Sequence, residues 1–117
     1  MAENLRGRND FQKVYRNGRR YEGSFISVFV LPNQENCHRI GVTASRKAVG
    51  NAVVRNRAKR LLRESFRLNK SLLTELNGSY DWVLNAKGRL ASCKLAPAYG
   101  ELTGIIERVA TDEGLPN

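Results

Sequence analysis

Apolar residues along this chain recur first at helical spacing, then in alternation, then at helical spacing again, and each change of period marks a new element. Phe11, Val14 and Tyr15 stand at i, i+3 and i+4, with Asn9 or Asp10 as cap and Gly18 as terminator, so a short first helix is expected. Phe25 to Leu31 is rich in β-branched and aromatic residues and stops at Pro32-Asn33, the mark of a strand entering a turn. Arg39 to Ser45 sets Ile40, Val42 and Ala44 against Gly41 and Thr43, and the two runs read together as a hairpin. Arg46 to Gly50 reads as a basic loop, and Asn51 can start a long helix reaching about Asn69. Leu72, Leu73 and Leu76 suggest one further turn before Asn77-Gly78 breaks the chain. In the next strand Tyr80, Trp82, Leu84 and Ala86 share a face, with Asp81, Val83 and Asn85 on the other. Tyr99, Leu102, Ile105, Ile106 and Val109 then mark a C-terminal amphipathic helix that tolerates Pro97 in its first turn, followed by a polar tail from about residue 111. This order of helix, two strands, helix, strand and helix is that of an α+β fold, a compact α/β sandwich. A length of 117 residues, 41% of them hydrophobic, suits a single domain over 1–117.

Charge changes the picture most in the long helix. Between Arg55 and Arg67 the chain carries six cations, five of them Arg, against Glu64 alone. At about 100° per residue, Val54, Ala58, Leu61, Leu62, Ser65 and Phe66 fall on one arc, and Arg55, Lys59, Arg60, Arg63 and Arg67 on the other. A helix built only for solubility interleaves acids with its cations for pairing at i,i+4. This one does not, and its planar guanidinium groups suit phosphate. The net charge of +9 is concentrated here and at the N-terminus: Arg46 to Lys70 hold nine cations and one acid, Met1 to Gly23 six and three. Such a field favours a polyanionic partner and weakens with salt.

Other classes are excluded or disfavoured. Glu3, Arg6, Arg8 and Asp10 have no apolar run behind them, unlike a secretory signal, so a cytoplasmic protein is expected. The most apolar stretch, Phe25 to Leu31, is far shorter than the roughly 20 residues that span a bilayer, and no membrane partner is expected. Cys37 and Cys93 belong to no paired motif and His38 is the only histidine, so two reduced thiols are expected and a Cys/His metal site is not. His38 reads as a surface residue in a turn. No serine has a base-and-orienter set, and the acids Glu22, Glu35, Glu64, Glu75, Asp81 and Glu101 are too scattered for two-metal hydrolysis, so no catalytic residue is expected in the chain.

The run Ser45-Arg46-Lys47, then Gly50-Asn51-Ala52-Val53-Val54-Arg55-Asn56-Arg57-Ala58-Lys59-Arg60-Leu61-Leu62-Arg63-Glu64-Ser65-Phe66-Arg67, resembles the protein subunit of bacterial ribonuclease P. The similarity extends to Phe11 through Gly18, Arg39 through Thr43 and Asp81 through Leu84. This resemblance implies a left-handed βαβ crossover carrying the basic helix, against the usual right-handed preference. It implies partnership with ribonuclease P RNA and precursor tRNA, and an endonucleolytic removal of the 5′ leader in which the RNA performs hydrolysis with magnesium at its active centre. It assigns Arg46, Lys47, Arg55, Asn56, Arg57, Lys59, Arg60, Arg63 and Arg67 to the catalytic RNA. It assigns Phe11, Tyr15 and Phe29, beside Arg16 and Arg19, to a cleft for the single-stranded leader, with Arg20 close by.

A single strand exposes base faces and phosphates, so aromatic platforms beside cations are the chemistry it needs. Spacing alone would place Phe11 and Tyr15 in the core, as it does Phe25 and Trp82; the resemblance moves the first two to the cleft. A one-residue slip between Gly18 and Phe25 would exchange Phe29 for Val28 on the cleft face. Two further readings stand beside this one. One is a structured-RNA-binding protein, such as a ribosomal protein or RNA chaperone, that processes nothing. The other is a helix-turn-helix DNA binder, disfavoured because no partner helix is expected just before the basic one.

Overall fold

The computed structural model describes residues 2–114. Five strands, β1 (Glu3–Asn4), β2 (Arg19–Glu22), β3 (Ile26–Pro32), β4 (Arg39–Thr43) and β5 (Tyr80–Ala86), form one mixed sheet in the order β1-β4-β5-β3-β2. The helices are α1 (Gly7–Asn17), α2 (Arg46–Val49), α3 (Ala52–Leu68), α4 (Lys70–Glu75) and α5 (Leu95–Glu113), with a 3-10 turn at Gly88–Ser92. The expected α+β class holds.

The expected hairpin between β3 and β4 does not form. β5 lies between them, antiparallel to β3 and parallel to β4, with Val30 and Ile40 both opposite Trp82. The reason lies in the composition of β5. Trp82, Val83 and Leu84 are each fully buried, so this strand is covered on both faces and takes the centre of the sheet. The parallel pair β4 and β5 is joined by a crossover containing α2, α3 and α4.

Alternation along the strands divides the core into two. Ile26, Val28 and Val30 of β3, Ile40 and Val42 of β4, and Trp82, Leu84 and Ala86 of β5 face α3, α4 and α5. Phe29, Leu31 and Val83 face the other way, where Leu5, Phe11 and Val14 cover them. The sheet is therefore a middle layer, with α1 alone on one side. Buried Asn69 ties the helices of the larger layer together: its Nδ2 donates to the Ser65 carbonyl at 2.9 Å, and its Oδ1 accepts from Thr103 Oγ1 at 2.8 Å.

Boundaries differ from expectation where the causes are non-local or at helix ends. α1 begins at Gly7, because Asp10 reaches back to accept from the Arg6 amide at 2.9 Å instead of capping from outside the helix. Arg46–Val49, expected as a loop, is a single helical turn capped by Ser45. Strands β1 and β2 and the 3-10 turn lack a periodic signature and are recruited by their neighbours. α5 extends through Thr111, Asp112 and Glu113, expected as tail, because two of these residues find partners. Tyr21 Oη donates to Asp112, and Glu113 accepts from the Asn77 and Gly78 amides and from Tyr80 Oη. Residues 115–117 of that tail lie outside the described residues.

Candidate nucleic-acid interface

The basic helix is set by its ends and its apolar side. Gly50, at φ +123°, turns the chain from α2 into α3 in a conformation other residues resist, and Asn51 Oδ1 then accepts from the Val54 amide at 3.1 Å. Ala58, Leu62, Ser65 and Phe66 are buried beneath, with Val54 and Leu61 half-buried beside them. The opposite side carries Asn56, Arg57, Arg60, Arg63 and Arg67 exposed, with Arg55 and Lys59 half-buried; Arg46 and Lys47 are exposed on α2. A groove of about 480 Å³ runs between α3 and the start of α5, lined by Arg57, Arg60, Leu61, Arg63, Glu64, Arg67 and Leu95.

These cations are not equivalent. Arg57 donates Nη1 to the Ala91 carbonyl at 2.9 Å and Nη2 to the Cys93 carbonyl at 3.0 Å, so it fastens the 3-10 turn to α3. Arg67 is paired with Glu64, whose carboxyl it holds below the usual range. The Nε of Arg55 is buried with no hydrogen-bond partner. Arg60 and Arg63 have no acidic partner among the described residues and present their full charge outward.

On the other face of the sheet, α1 lies over β3, β4 and β5. Phe11 rests on Gly41, where a Cβ would come within 2.4 Å of the ring, so only glycine allows that approach. Tyr15 meets the ring of Phe29 edge-on, centroids 4.9 Å apart, and its Oη donates to Asn85 Oδ1 at 2.7 Å. Arg20 lies 5.6 Å from the centroid of Phe29 and is held there by Glu22, which accepts from its Nε at 2.9 Å. Glu22 also accepts from Lys87 and Ser27, and these donors, Lys87 foremost, pull its pKa down to about 2. Lys13 and Arg16 are exposed along α1. At the far end Asp81 is covered by Arg39, which donates Nε and Nη2 to its two oxygens at 2.7 Å each. The acids near this cleft are thus neutralised by partners, and its exposed charge is positive.

The sheet resolves the register. Phe29 faces α1 and Val28 is fully buried on the opposite side. Phe11, Tyr15 and Phe29 come together as expected, with Arg16 along the same helix. Arg19 does not join them: it points to the other layer and pairs with Asp112 at 3.0 Å, because alternation along β2 gives the α1 face to Arg20 and Glu22. The polar row of Thr43 and Asn85, opposite one another in register, belongs to this cleft too. Its only advance signal was an Asn on the weaker face of a strand. His38, expected at the surface, is a packing hub. Its Nδ1 accepts from the Tyr80 amide and from Trp82 Nε1, both at 3.1 Å, so Nε2 is the protonated nitrogen and donates to the Leu73 carbonyl at 3.0 Å.

Cys37 and Cys93 are free thiols. Among the described residues no three His, Cys, Asp or Glu are grouped to hold a metal ion, and no helix is long and apolar enough to cross a membrane.

The chain matches the ribonuclease P family model over residues 1–110. It is 37% identical to the ribonuclease P protein component of Clostridium novyi, over 91% of this chain and 92% of that protein. It is 40% identical to that of Syntrophus aciditrophicus, over 86% and 82%. Among solved structures, the ribonuclease P protein of Thermotoga maritima superimposes with a TM-score of 0.78 at 27% identity, covering 91% of this chain and 96% of that one. That of Staphylococcus aureus gives 0.76 at 26% identity, covering 93% and 96%. A cationic helix on one side of the sheet, an aromatic cleft on the other, and matches that run nearly end to end place this chain in the ribonuclease P protein family, the protein component of a tRNA-processing endoribonuclease that works with an RNA subunit.

Proposed function

We propose that the chain divides its two surfaces between two RNAs: α2 and α3 dock on the catalytic RNA, and the cleft under α1 holds the single-stranded 5′ leader of precursor tRNA. The observation that carries this reading is the segregation of chemistry across the sheet. One face offers a helix with unpaired guanidinium groups at Arg60 and Arg63, which suits a structured phosphate backbone. The other offers the Tyr15–Phe29 pair beside Arg20, with Arg16 exposed along α1, which suits unstacked bases.

Hydrolysis belongs to the RNA in this reading. Two-metal chemistry needs clustered acids, and the described residues contain no such group, so magnesium is assigned to RNA phosphates and not to this chain. What the protein contributes is charge and position. Its cations offset repulsion between two polyanions, and the cleft fixes the leader so that the scissile phosphate is held at the RNA's metal site. The test is reconstitution: the protein with its matching catalytic RNA should cut precursor tRNA at the mature 5′ end at low salt and low magnesium, where either component alone is slow. Cutting by RNA-free protein, or a magnesium requirement unchanged by adding protein, would overturn the division of labour.

A further inference from the structure

Two hydroxyls converge on one amide oxygen at the mouth of the cleft. Asn85 Oδ1 accepts from Tyr15 Oη at 2.7 Å and from Thr43 Oγ1 at 2.5 Å. A carbonyl oxygen has two lone pairs, so both are used and the amide plane is fixed. Its Nδ2 keeps two N–H donors that have no partner among the described residues, and it is not among the buried atoms lacking one, so it meets solvent. Tyr15 and Thr43 come from α1 and β4, elements remote in sequence, and both are spent orienting a single side chain.

The position is unusual for its strand. On the same face of β5, Val83 is fully buried and Asp81 is closed off by Arg39 and Asn33. Asn85 alone on that face leaves hydrogen-bonding capacity unused, directly beside the Tyr15 ring. We infer that Asn85 is a specificity-determining residue that donates from Nδ2 to an acceptor on the edge of one leader base stacked against Tyr15. This rests on the leader-cleft reading above. Because the amide oxygen is occupied, the site offers donors only. It therefore favours a base edge with a carbonyl or unprotonated ring-nitrogen acceptor and disfavours one that presents an amino group there.

The experiment is competitive cleavage of a precursor tRNA pool with randomised leader positions by the reconstituted holoenzyme, reading relative kcat/KM for every base. Wild-type protein should show a preference at one leader position, about 5- to 10-fold as one hydrogen bond implies. Asn85→Val should erase it, and Asn85→Asp, which keeps acceptors for Tyr15 and Thr43 but has no donors, should shift it toward amino-bearing edges. Thr43→Val, which removes one orienting hydroxyl, should weaken the preference. A preference identical in wild type and Asn85→Val, or none in wild type, overturns the inference. If wild-type protein binds leader-bearing and mature tRNA equally, the cleft reading itself fails; if that ratio is intact while the Asn85 variants change nothing, only the role of Asn85 fails. Thermal melts of each variant separate loss of preference from loss of fold.

Discussion

Arg57 of the basic helix holds the carbonyls of Ala91 and Cys93 with one guanidinium group, at 2.9 and 3.0 Å, so a residue expected to serve RNA also fastens α3 to the 3-10 turn. Its neighbour Arg60 makes no such contact. Two arginines one turn apart therefore carry different duties, and the difference comes from what the chain brings opposite each.

Arg57→Ala should lower stability by about 1–2 kcal/mol through two lost charge-assisted hydrogen bonds, and Arg57→Lys should not restore it, because an ammonium lacks the fork that spans two carbonyls. Arg60→Ala should leave the melting temperature unchanged. It should instead flatten the salt dependence of binding to the catalytic RNA by roughly 0.7 to 0.9 in the log–log slope. Denaturant melts beside a salt titration of binding check both; an unchanged slope for Arg60→Ala would remove it from the RNA contact.

Phe11 and Tyr15 should part in the same way. Phe11 packs on Gly41, so Phe11→Ala and Gly41→Ala should each destabilise the protein, by about 1–3 kcal/mol. Tyr15 is 38% exposed, and Tyr15→Ala should reduce affinity for leader-bearing precursor by about 1–3 kcal/mol while sparing mature tRNA. Equal losses on the two RNAs would mark Tyr15 as structural only.

Acid should unfold the protein partly through Asp81. Burial alone would raise its pKa, but the hydrogen bonds from Arg39 and Asn33 outweigh burial and hold it below the ordinary 3.8. A carboxylate depressed in the folded state contributes fully above its unfolded pKa and loses that contribution as pH falls through the folded value. Stability should thus decline from about pH 4 downward. Asp81→Asn should be less stable by about 2–3 kcal/mol at neutral pH and show a shallower acid slope, measured by denaturant melts from pH 7 to 2.

His38→Ala should cost about 1–3 kcal/mol, because the indole N–H of fully buried Trp82 loses its acceptor. Trp82 fluorescence should report the change, and RNA affinity per folded molecule should not move. A variant as stable as the wild type would show that water replaces the imidazole.

Much of the fold was legible because side-chain period is local. The arc from Val54 to Phe66 is buried as its spacing requires, Asn51 caps the helix it precedes, and Ala98 through Val109 line the last helix. The aromatic cleft was legible only through the resemblance, since the helical spacing of Phe11 and Tyr15 by itself reads as core. His38 looked like an isolated turn residue because its partners Leu73, Tyr80 and Trp82 are all more than thirty positions away.

By itself the chain determined the strongly periodic elements, α1, α3, α5 and the strands β3, β4 and β5, which side of each is apolar, and that one helix is a cationic ridge; all of these follow from backbone geometry repeating every few residues. Tertiary structure decided the rest: that β5 separates β3 from β4, that Arg20 rather than Arg19 shares the cleft with Phe29, and that Tyr15 and Thr43 fix Asn85. Strand order is chosen by which segment can be buried on both faces at once, and a side chain's neighbours by the register that follows. Both are properties of segments far apart in the chain, so no local spacing encodes them.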